Sequence, residues 1–262
     1  MMQWIDLYAA PCLVLLLIAA VGGFFVHERM QLPVRYVHAV LSRAAAWRWL
    51  ICGVGFAAGM VWMVWNMAHG GTGACAACVD WRSVDGQVQA WVQAQEHAGW
   101  MPLVTIATQL GHLMWMAALG AVASIWLLYR RAWLLLGAWV VGVAGVGLWV
   151  RWIKTSVARE RPEVRWVLEQ GYSFPSGHSA GTMVCYGMLA WLVFVMAGSR
   201  TGRWAAWLAV LAVLVVGVTR IVLGAHYVSD VLAGWMLGLA WMSIVFAVAT
   251  WAQHKAQQRQ WM

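Results

Sequence analysis

A helical bundle embedded in a lipid bilayer is the fold class this sequence predicts, and three observations predict it. Of 262 residues, 63% are hydrophobic and only 10% are charged, where soluble domains carry roughly 25% charged residues. Too few charges remain to cover a water-facing surface. The apolar residues collect into seven long runs almost free of charge: Leu7–Val26, Trp49–Ala68, Met101–Tyr129, Ala132–Val150, His178–Ala197, Trp204–Thr219 and Val231–Ala252. A helix needs roughly 20 apolar residues to cross about 30 Å of hydrocarbon. Finally, no run alternates with the period of two expected of a barrel strand.

The first run is preceded by Asp6 and by no Lys or Arg, whereas a cleaved signal segment needs a positive start. It is therefore expected to be a retained helix that begins outside. After the second run comes an outer loop with Cys75 and Cys78 in a C-x-x-C spacing, expected to form a small disulfide outside the membrane. The same loop holds Val84–His97, weakly amphipathic and expected to lie along the interface. The third run is long and contains Gln109 and His112, which suits a tilted span or one preceded by an interfacial turn. His112 is expected to be a packed, satisfied core histidine. Cys12, Cys52 and Cys185, inside apolar runs, are expected to be small buried residues. The 22 tryptophans suit an interfacial belt.

Basic residues alternate between the connections. Arg29, Arg35, Arg43, Arg48, Arg130, Arg131, Arg200, Arg203, Lys255 and Arg259 fall on one side, which the positive-inside rule makes cytoplasmic. On the other side Arg151, Lys154, Arg159, Arg161 and Arg165 crowd into one stretch, with Arg220 nearby. Arg151 and Arg165 are expected to be snorkelling anchors. The rest of that positive charge needs a reason other than topology, and an anionic substrate supplies one. Nucleic acid does not, because no basic tract stands apart from the apolar runs.

Three polar clusters occupy helix ends on this outer face. Lys154 is followed after six residues by Arg161-Pro162; Pro175-Ser176-Gly177-His178 opens the fifth run; Arg220, His226 and Asp230 join the sixth run to the seventh. Lys154, Arg161 and Arg220 offer fixed positive charge, and guanidinium forks match phosphoryl oxygens in pairs. Ser176 is a good N-cap, and the Gly177 and His178 amides at a helix start form an anion site. His226 and Asp230 are spaced i, i+4 and face each other across one turn. A carboxylate there fixes one ring nitrogen as a donor and frees the other as a nucleophile. His178 can protonate a departing group.

These residues resemble the three-part signature of the type 2 phosphatidic acid phosphatase superfamily: K-x6-R-P, P-S-G-H and S-R-x5-H-x3-D. The chain departs from it at Thr219, where a hydroxyl is kept in place of Ser. The resemblance implies a six-helix core, here expected over residues 49–262, with residues 1–48 an additional transmembrane helix and basic loop. It implies that Lys154, Arg161, Arg220, Ser176 and the Gly177 amide bind phosphate. His226 would form a phosphohistidine, Asp230 would orient it, and His178 would serve the leaving group, with no metal or cofactor required. The expected protein is an integral phosphatase of a bacterial inner membrane, acting at the periplasmic face on a lipid phosphate or diphosphate. Undecaprenyl diphosphate and phosphatidylglycerophosphate are the favoured substrates. A lipid phosphotransferase using the same phosphohistidine is the alternative, and a non-enzymatic anion carrier a distant one. Oligomeric state is not legible.

Overall fold

In hydrocarbon no water is available to the backbone, so a spanning segment must satisfy its own amides and carbonyls, and helices do this within one segment. The structure, a computed structural model, describes residues 43–69, 79–95, 99–163, 166–167 and 169–259. Its α-helices are α1 (Arg43–His69), α2 (Trp81–Ala94), α3 (Met101–Thr108), α4 (Leu113–Tyr129), α5 (Trp133–Val157), α6 (Gly177–Ala197), α7 (Ser199–Val222) and α8 (Val228–Arg259). Five are long and apolar enough to cross a bilayer, and α3 with α4, bent by 40°, makes a sixth. The chain is thus an all-α polytopic bundle. The expected first helix, Cys12 and the Cys75–Cys78 pair lie outside the described residues.

The helices outrun their apolar runs. α5 continues past Val150 through Arg151 and Lys154 to Val157, and α7 starts at Ser199 and ends beyond Arg220. Lys and Arg are good helix formers, and their long stems let the charge leave the hydrocarbon without ending the helix. The chemistry-bearing side chains therefore sit on helix ends rather than in free loops.

The long third run is broken by a 3-10 turn, Gln109–Gly111, after which His112 is extended. Its Nδ1 accepts a hydrogen bond from the Met114 amide at 3.3 Å, capping α4. His112 is exposed, which corrects the expectation of a packed core histidine: its ring is used on the backbone. Gly111 packs against the neighbouring helices so closely that a Cβ there would lie 2.5 Å from Val216 Cγ1 and 3.1 Å from His178 Cδ2.

α6 and α8 form the centre. Buried residues make up 56% and 61% of their spanning windows, against 22% for α1, 28% for α5 and 33% for α7. They pack through small residues, as helices in lipid commonly do. A Cβ on Gly238 would fall 2.7 Å from Met183 Cβ and 3.0 Å from the Ala180 carbonyl, and one on Gly234 only 2.7 Å from the Ser176 carbonyl. Phe246 stacks on Trp191 and meets Trp49 edge-on. Trp115, Trp139 and Trp191 are core residues, so the tryptophans are not all an interfacial belt. Cys185 is buried as expected, but Cys52 is exposed on α1, whose outer face is apolar and tolerates a thiol.

α2 is more than a stretch lying along the interface. Asp80 caps it by accepting from Ser83 N at 3.3 Å, and Asn66 of α1 accepts from Val79 N at 3.2 Å just before it. Its buried face is Asp85, Gln89 and Val92, spaced for one side of a helix. That face closes over one end of the bundle and carries a carboxylate into it.

Gly238→Ala is expected to destabilise the detergent-solubilised protein by about 1–3 kcal/mol, the usual cost of overpacking. Gly147→Ala, on a face of α5 with nothing within 4 Å of its Cβ, is expected to be neutral or stabilising, since alanine is the better helix former. Thermal unfolding of the two variants side by side checks this, and equal melting temperatures would contradict the packing account.

Candidate active site

The ends of α5 and α7 and the starts of α6 and α8 meet at one end of the bundle. At the C-terminus of α5, Ala158 takes a left-handed conformation (φ 49°) and its amide closes on the Lys154 carbonyl at 2.9 Å. This reverses the chain and turns Arg159 toward α8. The following segment is pinned over the bundle end by Trp166 N to Leu223 O at 3.0 Å and Ser173 N to Arg159 O at 2.8 Å. α6 then opens at Gly177. Its Ser176 cap accepts from Ser179 N at 3.4 Å and from Ser179 Oγ at 3.0 Å. Ser176 N in turn donates to the Asp230 carbonyl at 3.0 Å, joining the starts of α6 and α8. After α7, Gly224 (φ 63°) makes the left-handed turn that brings the chain to His226, a conformation open to glycine at little cost.

His226 and Asp230 are buried at the centre, 1% and 0% exposed. His226 Nδ1 lies 3.4 Å from Asp230 Oδ2 and 3.4 Å from Ser173 Oγ. Ser173 Oγ itself donates to Asp230 Oδ2, and Tyr227 N donates to the same oxygen at 3.0 Å. A carboxylate oxygen can only accept, so Nδ1 carries the proton and Nε2 keeps its lone pair. Nε2 faces Arg161, whose Nη1 is 3.4 Å away. Arg161 is held by the carbonyls of Gly171 and Ala225, both at 2.9 Å. A group bound at Arg161 therefore meets the nucleophilic edge of the imidazole.

The remaining expected residues converge here too. Lys154 Nζ donates to the Tyr172 carbonyl and to the Ser173 carbonyl, the latter at 3.0 Å. Arg220, buried, donates from Nη1 to Thr108 Oγ1 at 3.2 Å and from Nη2 to Glu169. His178 Nδ1 stands 3.9 Å from Glu169 Oε1. Ser176 is fully buried and spends its hydroxyl on the helix cap; the amides of Gly177 and His178 lie in the first turn it caps, where they have no helical carbonyl to bond.

Five contributors escaped the sequence reading. Ser173 braces the His226–Asp230 pair. Arg159 donates from Nη1 to Asp230 Oδ1 and to Ser229 Oγ, both at 2.7 Å, and pairs through Nη2 with Asp85 at 2.8 Å. Asp85 also accepts from Ser229 N at 3.1 Å and Ser229 Oγ at 2.5 Å. Glu169 sits between the two guanidiniums, 3.3 Å from Arg161 Nη2 and paired with Arg220. Surplus outer-face charge was a signal for Arg159. Nothing in the local spacing marks Asp85, which lies 145 positions before Asp230, or Glu169.

Electrostatics suit nucleophilic work. Burial pushes the His226 pKa down to about 4, against the opposing hydrogen bond and charge of Asp230, so the ring is neutral near pH 7. Burial by itself would raise the Glu169 carboxyl; the charges of Arg220, His178 and Arg161 outweigh it and hold that carboxyl below the usual range. The site thus combines a neutral, oriented imidazole with guanidiniums whose geometry suits phosphoryl oxygens.

An all-α membrane bundle with a histidine–carboxylate pair under a cluster of cations defines the class. Residues 132–254, a little under half of the chain, match the PAP2 superfamily. Over 90 residues it is 33% identical to phosphatidylglycerophosphatase B of Bacillus subtilis (strain 168), a match covering 33% of this chain and 44% of that one. The chain thus spans under half the length of that curated relative. It also resembles the crystal structure of the first transmembrane PAP2 type phosphatidylglycerolphosphate phosphatase from Bacillus subtilis, with a TM-score of 0.63 and 23% identity over 78% of this chain and 96% of the other. At that identity the likeness is one of fold.

The lowered proton affinity of His226 has a direct readout. Its ring is expected to stay neutral as pH falls through 6.5, the ordinary histidine value, and to protonate only near pH 4. An NMR titration of ring-labelled histidine, assigned by loss of the signal in His226→Gln, checks this. A midpoint at or above 6.5 would contradict the burial account.

Proposed function

We propose that the protein is an integral-membrane phosphatase that hydrolyses a lipid phosphate monoester or diphosphate, with a phosphatidylglycerophosphate as the leading substrate and a polyprenyl diphosphate such as undecaprenyl diphosphate next. The observation that carries this is the juxtaposition of His226 Nε2 with Arg161 while Nδ1 is tied to Asp230. The PAP2 match over residues 132–254 and the phosphatidylglycerophosphate activity in the names of both relatives support it.

The reaction follows from the atoms present. Arg161, Arg220 and Lys154, with the first-turn amides of α6, neutralise the phosphoryl oxygens. The Nε2 lone pair of His226 attacks phosphorus in line with the lipid oxygen; the N–P bond forms as the P–O bond breaks. His178 gives its proton to the departing alkoxide, or to the departing lipid phosphate when the substrate is a diphosphate, and Asp230 stabilises the positive charge growing on the ring. Water then cleaves the phosphohistidine, with His178 taking the proton back and inorganic phosphate leaving. Positioning and charge neutralisation are the main demands of phosphoryl transfer, and they fall here on side chains and a helix terminus.

A lipid substrate also suits the bundle's flank. An apolar cavity of about 670 Å³ between α1, α5 and α8 is lined by residues including Met60, Trp149, Trp152, Trp241 and Ile244. It shares Val64, Ser156 and Val157 with a second cavity of about 520 Å³ that reaches Arg159. Acyl chains fit such a lining because burying each methylene stabilises the complex by about 0.8 kcal/mol. The charge bias of the connections supports a site on the outer, periplasmic side of a bacterial inner membrane.

Phosphate release from phosphatidylglycerophosphate and undecaprenyl diphosphate micelles, measured in excess EDTA, is expected for the wild-type protein and not for His226→Ala. Acid-labile, base-stable label on the protein after brief mixing with labelled substrate would mark the phosphohistidine. Label appearing on a second lipid instead of in solution would make the protein a transferase, and turnover surviving in His226→Ala would refute the mechanism.

A further inference from the structure

The helix α2, which no part of the family signature touches, is wired to the catalytic pair. Asp85 is 2% exposed and both of its oxygens are engaged. Oδ1 accepts from Ser229 N at 3.1 Å, and Oδ2 from Ser229 Oγ at 2.5 Å and Arg159 Nη2 at 2.8 Å. The other end of the same guanidinium donates from Nη1 to Asp230 Oδ1 and Ser229 Oγ, each at 2.7 Å. The face of Arg159 rests 4.0 Å from the Tyr227 ring centroid. One planar cation is thus clamped between a carboxylate from α2 and the carboxylate that orients the nucleophile.

We infer that Asp85 is a positioning residue for catalysis, which acts through Arg159 and Ser229 to set the orientation of Asp230 and hence of the His226 ring. This rests on the phosphatase reading given above.

The physical reasoning is one of geometry under burial. Asp230 must present Oδ2 to His226 Nδ1 while Oδ1 is turned away, and the partner that holds Oδ1 is Arg159. A guanidinium fork has two equivalent ends and can rotate or slide along a carboxylate. Asp85 fixes the Nη2 end and so leaves Nη1 in register with Asp230. It also satisfies the Ser229 amide, a buried donor in the first turn of α8 that precedes Asp230 by one residue. Without Asp85 the cation is free to turn wholly onto Asp230, and the first turn of α8 loses the acceptor that seats it. A misplacement of about 1 Å at a reacting group costs roughly 100-fold in rate. The phosphate-binding side chains Lys154, Arg161 and Arg220 make no contact with Asp85, so substrate binding is not expected to follow.

The test uses the full-length protein in detergent with short-chain dioctanoyl phosphatidylglycerophosphate, whose solubility allows kcat and KM to be separated. Asp85→Asn keeps the shape but places an amide where the Arg159 pair was. Its kcat is expected to fall roughly 10- to 100-fold with KM within about twofold of wild type. Arg159→Lys, which keeps the charge but cannot bridge both carboxylates, should give the same pattern. The double variant should be no slower than the slower single one, because both remove one linkage. The fall in kcat at unchanged KM is what a merely structural role would not produce. Should Asp85→Asn fail to purify as a monodisperse species, Arg159→Lys alone decides, and an unchanged kcat there overturns the inference. Asp85→Asn with wild-type kcat, a rise in KM in place of the fall in kcat, or simple additivity of the two substitutions would also overturn it. Absence of phosphate release by the wild-type protein would strike the phosphatase reading instead.

Discussion

The buried carboxylate of Asp230 is the constraint on which the rest of this site depends. An ionised carboxylate away from water is costly unless it is paired and hydrogen-bonded. Here it takes Arg159 on one oxygen, and Ser173, the Tyr227 amide and His226 on the other. The partners come from three places. Arg159 follows α5, Ser173 precedes α6, His226 and Tyr227 belong to the turn before α8. Satisfying one charge therefore draws the ends of three spanning helices and the segment between α5 and α6 into a single arrangement.

That arrangement is possible because the central helices come close. Glycines at 234 and 238 bring α8 within contact of the α6 backbone, and the Ser176 amide reaches the Asp230 carbonyl as a result. Packing in the apolar interior and geometry at the polar end are one problem: a wider α6–α8 separation would carry the His178 end of the site away from His226. The 3-10 turn at Gln109–Gly111 contributes in the same way, seating Gly111 against His178 and Thr108 against Arg220.

Most of this was legible in the sequence, for definable reasons. Membrane spans announce themselves by length and the absence of charge, and the six runs that fall among the described residues all became helices. The eight site residues named from spacing converge because the three clusters sit at consecutive helix ends, where local spacing and three-dimensional position are tightly linked. Helix ends were misjudged since hydropathy marks where hydrocarbon stops, not where the backbone stops being helical; α5 past Val150 is the example. Ser176 was read both as an N-cap and as a phosphate ligand, and its hydroxyl caps α6. Asp85 and Glu169 were invisible for a different reason. A lone acidic residue in a polar loop has no periodicity to betray its partner, and Asp85 meets Ser229 across 144 positions. His112 was misread because capping depends on a helix break that the unbroken apolar run conceals.

The distribution of polar contacts also bears on what the site can distinguish. Arg161, Arg220 and Lys154 are each anchored by backbone carbonyls or a carboxylate, so under the proposed function they are preorganised for a phosphoryl group as such. Preorganised donors of this kind act on charge developing at phosphorus and are indifferent to what lies beyond the ester oxygen. Discrimination among lipid phosphates must then reside in the surroundings. Two are present: the apolar flank between α1, α5 and α8, and the cavity beside Arg159 where α2 contributes Trp81 and the exposed Arg82. The first is graded, because one methylene more or less changes binding by about 0.8 kcal/mol. The second carries a charge that a headgroup can meet or miss, and it belongs to the same helix that clamps Arg159. Under the proposed function, headgroup contact and the orientation of Asp230 share one structural element, so changes in α2 that alter headgroup preference are expected to alter turnover as well unless Asp85 keeps its place.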